Sequence, residues 1–272
     1  MPSEHLDALN QQSDGSPTGS PSPLGGLDTL NHAIDLPPAP DKPSLLTLSI
    51  ELMGVQPRIW RRLALRGDLT LDAVHPLLQA AMGWTDSHLH RFRPGSSHGY
   101  DEPYFVTPFD EEEEGDDGTR EADVRLDQVL RAPGDQLTYL YDFGDGWEHL
   151  LTLESVAPLM QTHRAPVCLD GAGACPPEDV GGVPGYEEVA DWLRAGARDD
   201  GVPGGFDDAE HARGWLPPGY DPDVFDAAEA SAEMQVWCGR AVSICCGTGS
   251  PSRWPTSCRV CGTRGGCRPR PG

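Results

Sequence analysis

From Ser44 onward the apolar and polar positions fall into register. Leu46, Leu48, Ile50 and Leu52 alternate with Thr47, Ser49 and Glu51, the period of two of a strand with one face in a core. Val55-Gln56-Pro57 turns the chain, and Ile59 to Leu65 reads as a second strand. Ile59, Arg61, Leu63 and Leu65 lie on one of its faces, with Trp60, Arg62 and Ala64 on the other. Then the period lengthens: Leu71, Val74, Leu78 and Ala81 form the buried stripe of a helix. Thr70 is placed to cap its free amides, Asp72 stands near its positive end, and Gly83 suits the left-handed residue that closes it. Pro76 removes an amide from this helix, so a late start or a kink is expected. His88 to Arg93 alternates again, a strand with His88 and His90 two apart on one face.

Leu137 to Leu153 carries the clearest paired signal. Tyr139, Tyr141 and Phe143 share a strand face, Gly144-Asp145-Gly146 supplies the positive backbone angles of a tight turn, and Trp147, His149, Leu151 and Leu153 return. The chain is then loop-heavy through Cys175-Pro176-Pro177 and Gly181-Gly182, until Gly185-Tyr186-Glu187-Glu188 opens a helix ending near Ala197. Trp215-Leu216 and Asp221-Pro222-Asp223 precede a short helix from Asp226 to Met234. These elements predict an α+β fold, one domain over residues 44–235 with an antiparallel sheet and a few packed helices. Residues 1–43, rich in Ser, Gly and Pro, read as a disordered arm, and 236–272 as an unstructured tail. The carboxylate run Asp110 to Asp117 reads as a solvated loop.

Composition adds a constraint on partners. Asp and Glu number 43 against 20 Lys and Arg, a net charge of −23. Such a field repels phosphate backbones and anionic lipid, so direct nucleic-acid binding is disfavoured and protein is the expected partner. From Val236 there are six Arg and no acid, which leaves a body charge of −29 before it. No apolar run is long enough to span a bilayer, and Glu4 and Asp7 argue against a secretory signal, so a soluble cytoplasmic protein is expected. In a reducing compartment the eight Cys read as thiols or metal ligands before disulfides.

Asp142, Asp145, Glu148 and His149 surround the hairpin turn. Hard carboxylate oxygens with one imidazole nitrogen can hold a divalent cation; equally, Asp in a turn bonds its own backbone and a His beside Trp147 packs in a core. Glu178 and Asp179, between two prolines and a Gly pair, sit on a rigid loop that could present them to the hairpin or be pinned by them. Cys168 and Cys175, with His163 upstream, form a loose zinc ligand set. His88 and His90 have a chelating spacing, though a hydrogen-bonded core pair uses the same spacing. Arg58, Arg61, Arg62 and Arg66 are the cationic cluster available for a scissile phosphate, but strand alternation divides them between faces. In the tail, Cys258 and Cys261 have zinc-knuckle spacing, with Cys238, Cys245, Cys246 and Cys267 available to complete it. A zinc-binding tail and an out-of-frame reading of GC-rich codons both remain open; the bias of one Lys (Lys42) among 20 basic residues fits the second.

Several strings, in order, carry a resemblance: Pro57-Arg58-Ile59-Trp60-Arg61-Arg62, Gln79-Ala80-Ala81-Met82-Gly83-Trp84, Ser87-His88-Leu89-His90-Arg91-Phe92, Tyr139 through His149, Cys175-Pro176-Pro177-Glu178-Asp179 with Gly181-Gly182, Gly185-Tyr186, and Asp221-Pro222 with Phe225-Asp226. Together they resemble the plasmid pRiA4b ORF-3-like family, also labelled as insertion-element passengers of the resolvase (TnpR) type. The resemblance covers about Ser44 to Gln235. It implies an α+β domain with an antiparallel sheet, found in plasmids, mobile elements and bacterial chromosomes, without an assigned reaction. The sequence departs from the family at Pro76 and at Val180, where many relatives have a second Cys. If those relatives bind metal through that Cys, this chain lacks one ligand. The leading expectation is an accessory or binding module acting through protein contacts, not an enzyme. The alternative is a metal-dependent hydrolase or a recombinase-like enzyme using Asp142, Asp145, Glu148, His149, Glu178 and Asp179.

Overall fold

A computed structural model describes residues 33–96, 102–160 and 165–246, with side chains to Cys238. Six strands, β1 (Ser44–Leu52), β2 (Trp60–Arg66), β3 (His90–Pro94), β4 (Gln136–Tyr141), β5 (Trp147–Pro158) and β6 (Val167–Ala172), form one antiparallel sheet in the order β3-β4-β5-β1-β2-β6. Among the described residues five α-helices accompany it, α1 (Leu71–Met82), α2 (Leu126–Val129), α3 (Gly182–Arg194), α4 (Ala209–Trp215) and α5 (Ala227–Cys246), with a π turn at Asp110–Glu114 and a 3-10 turn at Glu121–Asp123. The fold is α+β, as the alternation predicts. Leu48 pairs with Leu63 on one side and Leu153 on the other, so the period-two leucines of three adjacent strands share one face. That face is buried with Leu71, Val74 and Leu78 of α1 in a single core. No helix among the described residues is long and apolar enough to cross a membrane.

Several local expectations are corrected. Helix α1 starts at Leu71 and continues past Pro76, and the Thr70 side chain makes no cap; its carbonyl takes the amides of Ala73 and Val74 while its hydroxyl donates to Asp72. Gly83 closes the helix at φ +105° as predicted. The acid run is not wholly solvated. Asp110 and Asp116 are buried, because Asp110 accepts from the Thr107 amide and hydroxyl and from Arg91, while Asp116 accepts from Tyr104. Strand β6 occupies a stretch that reads as loop, and helix α4 is an element the apolar pattern does not predict. Residues 33–43 of the N-terminal arm form no regular element but are tied down, with the Ile34 amide on Thr119 and the Pro37 carbonyl taken by Gln128; residues 1–32 lie outside the described part. Helix α5 continues to Cys246, so the first residues of the expected tail are helical, with Cys238 buried in the core.

Arg61 holds the helical layer to the sheet. It is 1% exposed, and its Nε donates to Ala81 O at the end of α1 (2.9 Å) while one terminal nitrogen donates to Trp60 O (2.9 Å) and Ala172 O (3.0 Å). Phe225 covers the guanidinium at 3.7 Å, and the negative end of α1 supplies the partial charge that favours a cation there. Three carbonyls on β2, β6 and α1 converge on one planar fork. We expect Arg61→Ala to lose these charged hydrogen bonds and to leave a cavity, costing about 3–5 kcal/mol in urea unfolding. A loss under about 1 kcal/mol would mean that burying the charge cancels its bonds.

Candidate functional site

Where α1 ends, the chain is held in place one residue at a time. The Trp84 indole donates to Pro176 O at 3.0 Å, which docks the Cys-Pro-Pro-Glu-Asp loop against the helix. Asp86 adopts φ +59°, its amide donating to Gln79 Oε1 and its carboxylate meeting His75 Nε2. This left-handed step delays β3 until His90. His88 and His90 therefore do not share a strand face. His90 stacks on His75 with ring centres 3.6 Å apart and meets Glu121 at 3.0 Å, whereas His88 turns to the hairpin.

The hairpin turn is set by a second left-handed aspartate. Asp142 has φ +55°, a conformation Asp tolerates better than most residues. Its amide donates to Leu89 O, its carbonyl accepts from Gly146 N, and its Oδ1 accepts from Gly144 N at 2.9 Å and Asp145 N at 3.3 Å. Because the chain leaves β4 at Asp142, Phe143 does not continue the Tyr139 and Tyr141 face; it is 44% exposed beside the Arg91 guanidinium. Asp145 Oδ2 accepts from Gly181 N at 3.1 Å. Gly182 packs so closely that a Cβ there would lie 2.6 Å from the Asp145 carbonyl oxygen. Only glycine allows the two loops to meet, and its φ of +68° adds to that demand.

Their meeting places three carboxylates around one imidazole. His88 Nε2 lies 3.3 Å from Asp179 Oδ1, 3.7 Å from Asp142 Oδ2 and 3.8 Å from Glu178 Oε2. It is shut off from solvent yet makes no hydrogen bond. Glu178 is fixed by the Thr85 amide (2.9 Å) and hydroxyl (3.2 Å) and by the Tyr141 phenol, which itself accepts from Ser87 N. Burial pushes the Tyr141 pKa well above its ordinary value, so the phenol keeps its proton and donates to Glu178. Ligand atoms of His88, Asp142 and Asp179 all lie within 4.8 Å of one another. That spacing suits one cation with bonds of about 2.0–2.6 Å. Asp142 is nearly buried while Asp179 is 73% exposed, so the cluster has a closed side and an open one.

The other residues proposed from sequence are placed elsewhere. Asp145 pins the loop rather than joining the cluster. Glu148 follows Trp147 on β5, and its carbonyl accepts from Met53 N. His149 is fully buried in the core, its Nδ1 3.3 Å from Tyr139 O and its ring edge-on to Trp84. Cys168 lies on β6, and Cys175 precedes the two prolines; burial raises both thiol pKa values, which favours the protonated, poorly ligating form. His163 and Cys258, Cys261 and Cys267 lie outside the described residues. Arg58 pairs with Glu51, Arg62 with Glu154 and Arg66 with Asp68. Sequence reading paired His88 with the wrong partner and did not single out Thr85 as a support for Glu178; nothing in the spacing of residues 85, 88, 142 and 178 marks them as neighbours.

Comparison with known proteins gives a consistent assignment. Residues 44–229 match the family model described as plasmid pRiA4b ORF-3-like protein. The uncharacterized protein y4hQ of Sinorhizobium fredii is 40% identical over 154 residues, covering 55% of this chain and 73% of that protein. The crystal structure of the protein of unknown function MM3350 from Methanosarcina mazei Go1 is similar with a TM-score of 0.55 and 30% identity, covering 69% of this chain and 97% of that one.

Beneath the cluster, burial depresses the His149 pKa to about 4, with its hydrogen bonds to backbone acting the other way; burial likewise lowers that of His75. Each folds as a neutral ring, so the stability contribution is complete above the ordinary histidine pKa near 6.5 and declines as pH falls toward 4. Between pH 7 and pH 5 the wild type is expected to lose about 2 kcal/mol through His149 alone. His149→Gln should flatten that part of the decline in urea titrations at the two pH values, and an unchanged slope would refute it.

Proposed function

Since this chain belongs to the plasmid pRiA4b ORF-3-like family, we propose that its domain is a divalent-cation-binding accessory module in which the ion clips the hairpin turn to the Cys-Pro-Pro-Glu-Asp loop. One observation carries this reading: a solvent-excluded imidazole nitrogen without a hydrogen bond, ringed by carboxylates from two separate loops. His88 would offer its Nε2 to an ion, and Asp142 Oδ2, Asp179 Oδ1 and Glu178 Oε2 would supply the hard oxygens. One nitrogen with oxygens suits manganese, zinc, iron or nickel better than calcium or magnesium, which favour all-oxygen shells. Glu178 and Asp142 are already oriented by Thr85, Tyr141 and the Gly144 amide, the supporting bonds that fix ligand geometry. The exposed Asp179 side leaves room for water or an exogenous ligand, which is where hydrolytic chemistry would take place if the module is catalytic.

The resolvase-type reading has less physical support. Strand exchange needs cations free to neutralise a phosphate. Arg58, Arg62 and Arg66 are each engaged by an acid, Arg61 is buried beneath Phe225, and the net charge is −23. Contacts with protein in the cytoplasm fit that charge better than contacts with DNA.

Metal binding can be read by thermal shift and by elemental analysis of the intact protein. Manganese or zinc at about a hundredfold over its dissociation constant should stabilise the fold by about 2.7 kcal/mol. His88→Ala and Asp142→Asn should remove the response, while Glu148→Gln and Cys168→Ser leave it. Gly182→Ala, which touches no ligand, should weaken binding by forcing the loops apart. If no cation shifts the melting curve, or if His88→Ala responds like wild type, the proposal fails.

A further inference from the structure

A groove of about 440 Å³ runs between the end of α1, the loop after Cys175 and the first turns of α5. Met82, Trp84, Tyr220 and Phe225 give it apolar walls, and Ala230 keeps its floor low. Val224, 62% exposed, stands at its lip. Its lining is also acidic: Glu229 and Glu233 stand one helical turn apart on α5, both exposed. Neither carboxylate meets a basic side chain among the described residues. Like charges at this spacing destabilise a helix. Glu229 gains from the positive end of α5, but Glu233, a turn further on, has no such compensation. Arg61 does not neutralise them, because its donors are taken by backbone carbonyls and Phe225 lies over it.

We propose that this groove is the docking site for a basic amphipathic helix of a partner protein. Apolar side chains of that helix enter between Trp84 and Phe225, and Lys or Arg residues one turn apart meet Glu229 and Glu233. Two observations select this occupant. The unpaired acids stand at the i, i+4 spacing that a partner helix presents on one face. The body before Val236 carries a charge of −29, which steers a basic segment in and keeps an acidic one or a nucleic acid out. The site is separate from the cation cluster except through Glu178, which lines both.

The test uses the full chain and a fluorescent, amidated peptide of about fifteen residues with Leu and Lys at helical spacing, followed by anisotropy. Its counterpart with Glu for Lys is the control. The Lys peptide should bind and the Glu peptide should not. Glu229→Gln/Glu233→Gln should weaken binding by about fivefold or more, while Glu187→Gln/Glu210→Gln, an equal charge change outside the groove, should alter it less than about twofold. Binding should persist in chelator and in His88→Ala, which separates it from the cation reading. Absence of binding, equal losses in the two double variants, or loss in chelator would overturn the proposal. So would a dimer of the protein alone that Glu229→Gln/Glu233→Gln dissolves, which would assign the groove to a second copy.

Discussion

A guanidinium buried without a carboxylate is tolerable only where dipoles replace water around it. Arg61 meets that condition by facing the last carbonyls of α1 and the edge carbonyls where β2 pairs with β6. Burial lowers its pKa from the ordinary arginine value, yet an arginine retains its proton well below that. The consequence is geometric. Helix α1 must end where its Ala81 carbonyl meets the fork, and everything that follows Gly83 starts from that point.

From there the constraint passes through aromatic side chains. Trp84 is seated 4.8 Å from Tyr141 and edge-on to His149, and its indole takes Pro176 O. Tyr141 then links Ser87 to Glu178. On the sheet side, the Tyr139 phenol accepts from Gln79 and is hydrogen-bonded to His75 Nδ1, and Gln79 in turn takes the Asp86 amide. A buried polar network of this kind is stable only when its members are satisfied, and being satisfied it fixes one arrangement. The segment 84–88 is therefore held on both flanks, which is why His88 points in a single direction.

This also explains which parts were legible in the sequence. The leucines of β1, the stripe of α1 and the Gly83 cap follow from period and backbone conformation, and tertiary packing agreed with them. His88 and Phe143 were misread for one reason: a left-handed aspartate, Asp86 or Asp142, interrupts the alternation beside each, and Asp gives no sign in advance of adopting it. Strand β6 escaped because Asp170 and Gly171 weaken its pattern and it pairs only along β2. The length of α5 escaped because Met234 and Cys238 are buried on a face whose polar side looks like tail. The acids of the hairpin turn and of the Pro-Pro loop singled out Asp142, Glu178 and Asp179, but their convergence on His88 depends on Gly182 touching Asp145, a contact between residues 37 apart that local pattern does not encode.

Without a counter-charge the cluster would be costly. Two carboxylates about 5 Å apart repel by about 3 kcal/mol at an effective dielectric constant near 20, and here three approach one imidazole in a protein of net charge −23. The exposed Asp179 sheds part of its share to solvent. Asp142 cannot, since it is nearly buried and its Oδ1 already serves the Gly144 and Asp145 amides. Those two amides fix the carboxylate in the same turn that gives the hairpin its shape. A loop that merely needed pinning could be held by the Asp145 to Gly181 bond alone. Bringing Asp142, Glu178 and Asp179 to one imidazole adds repulsion that the bonds from Thr85, Tyr141 and the turn amides offset only in part, and a divalent cation is the simplest group that would offset the rest.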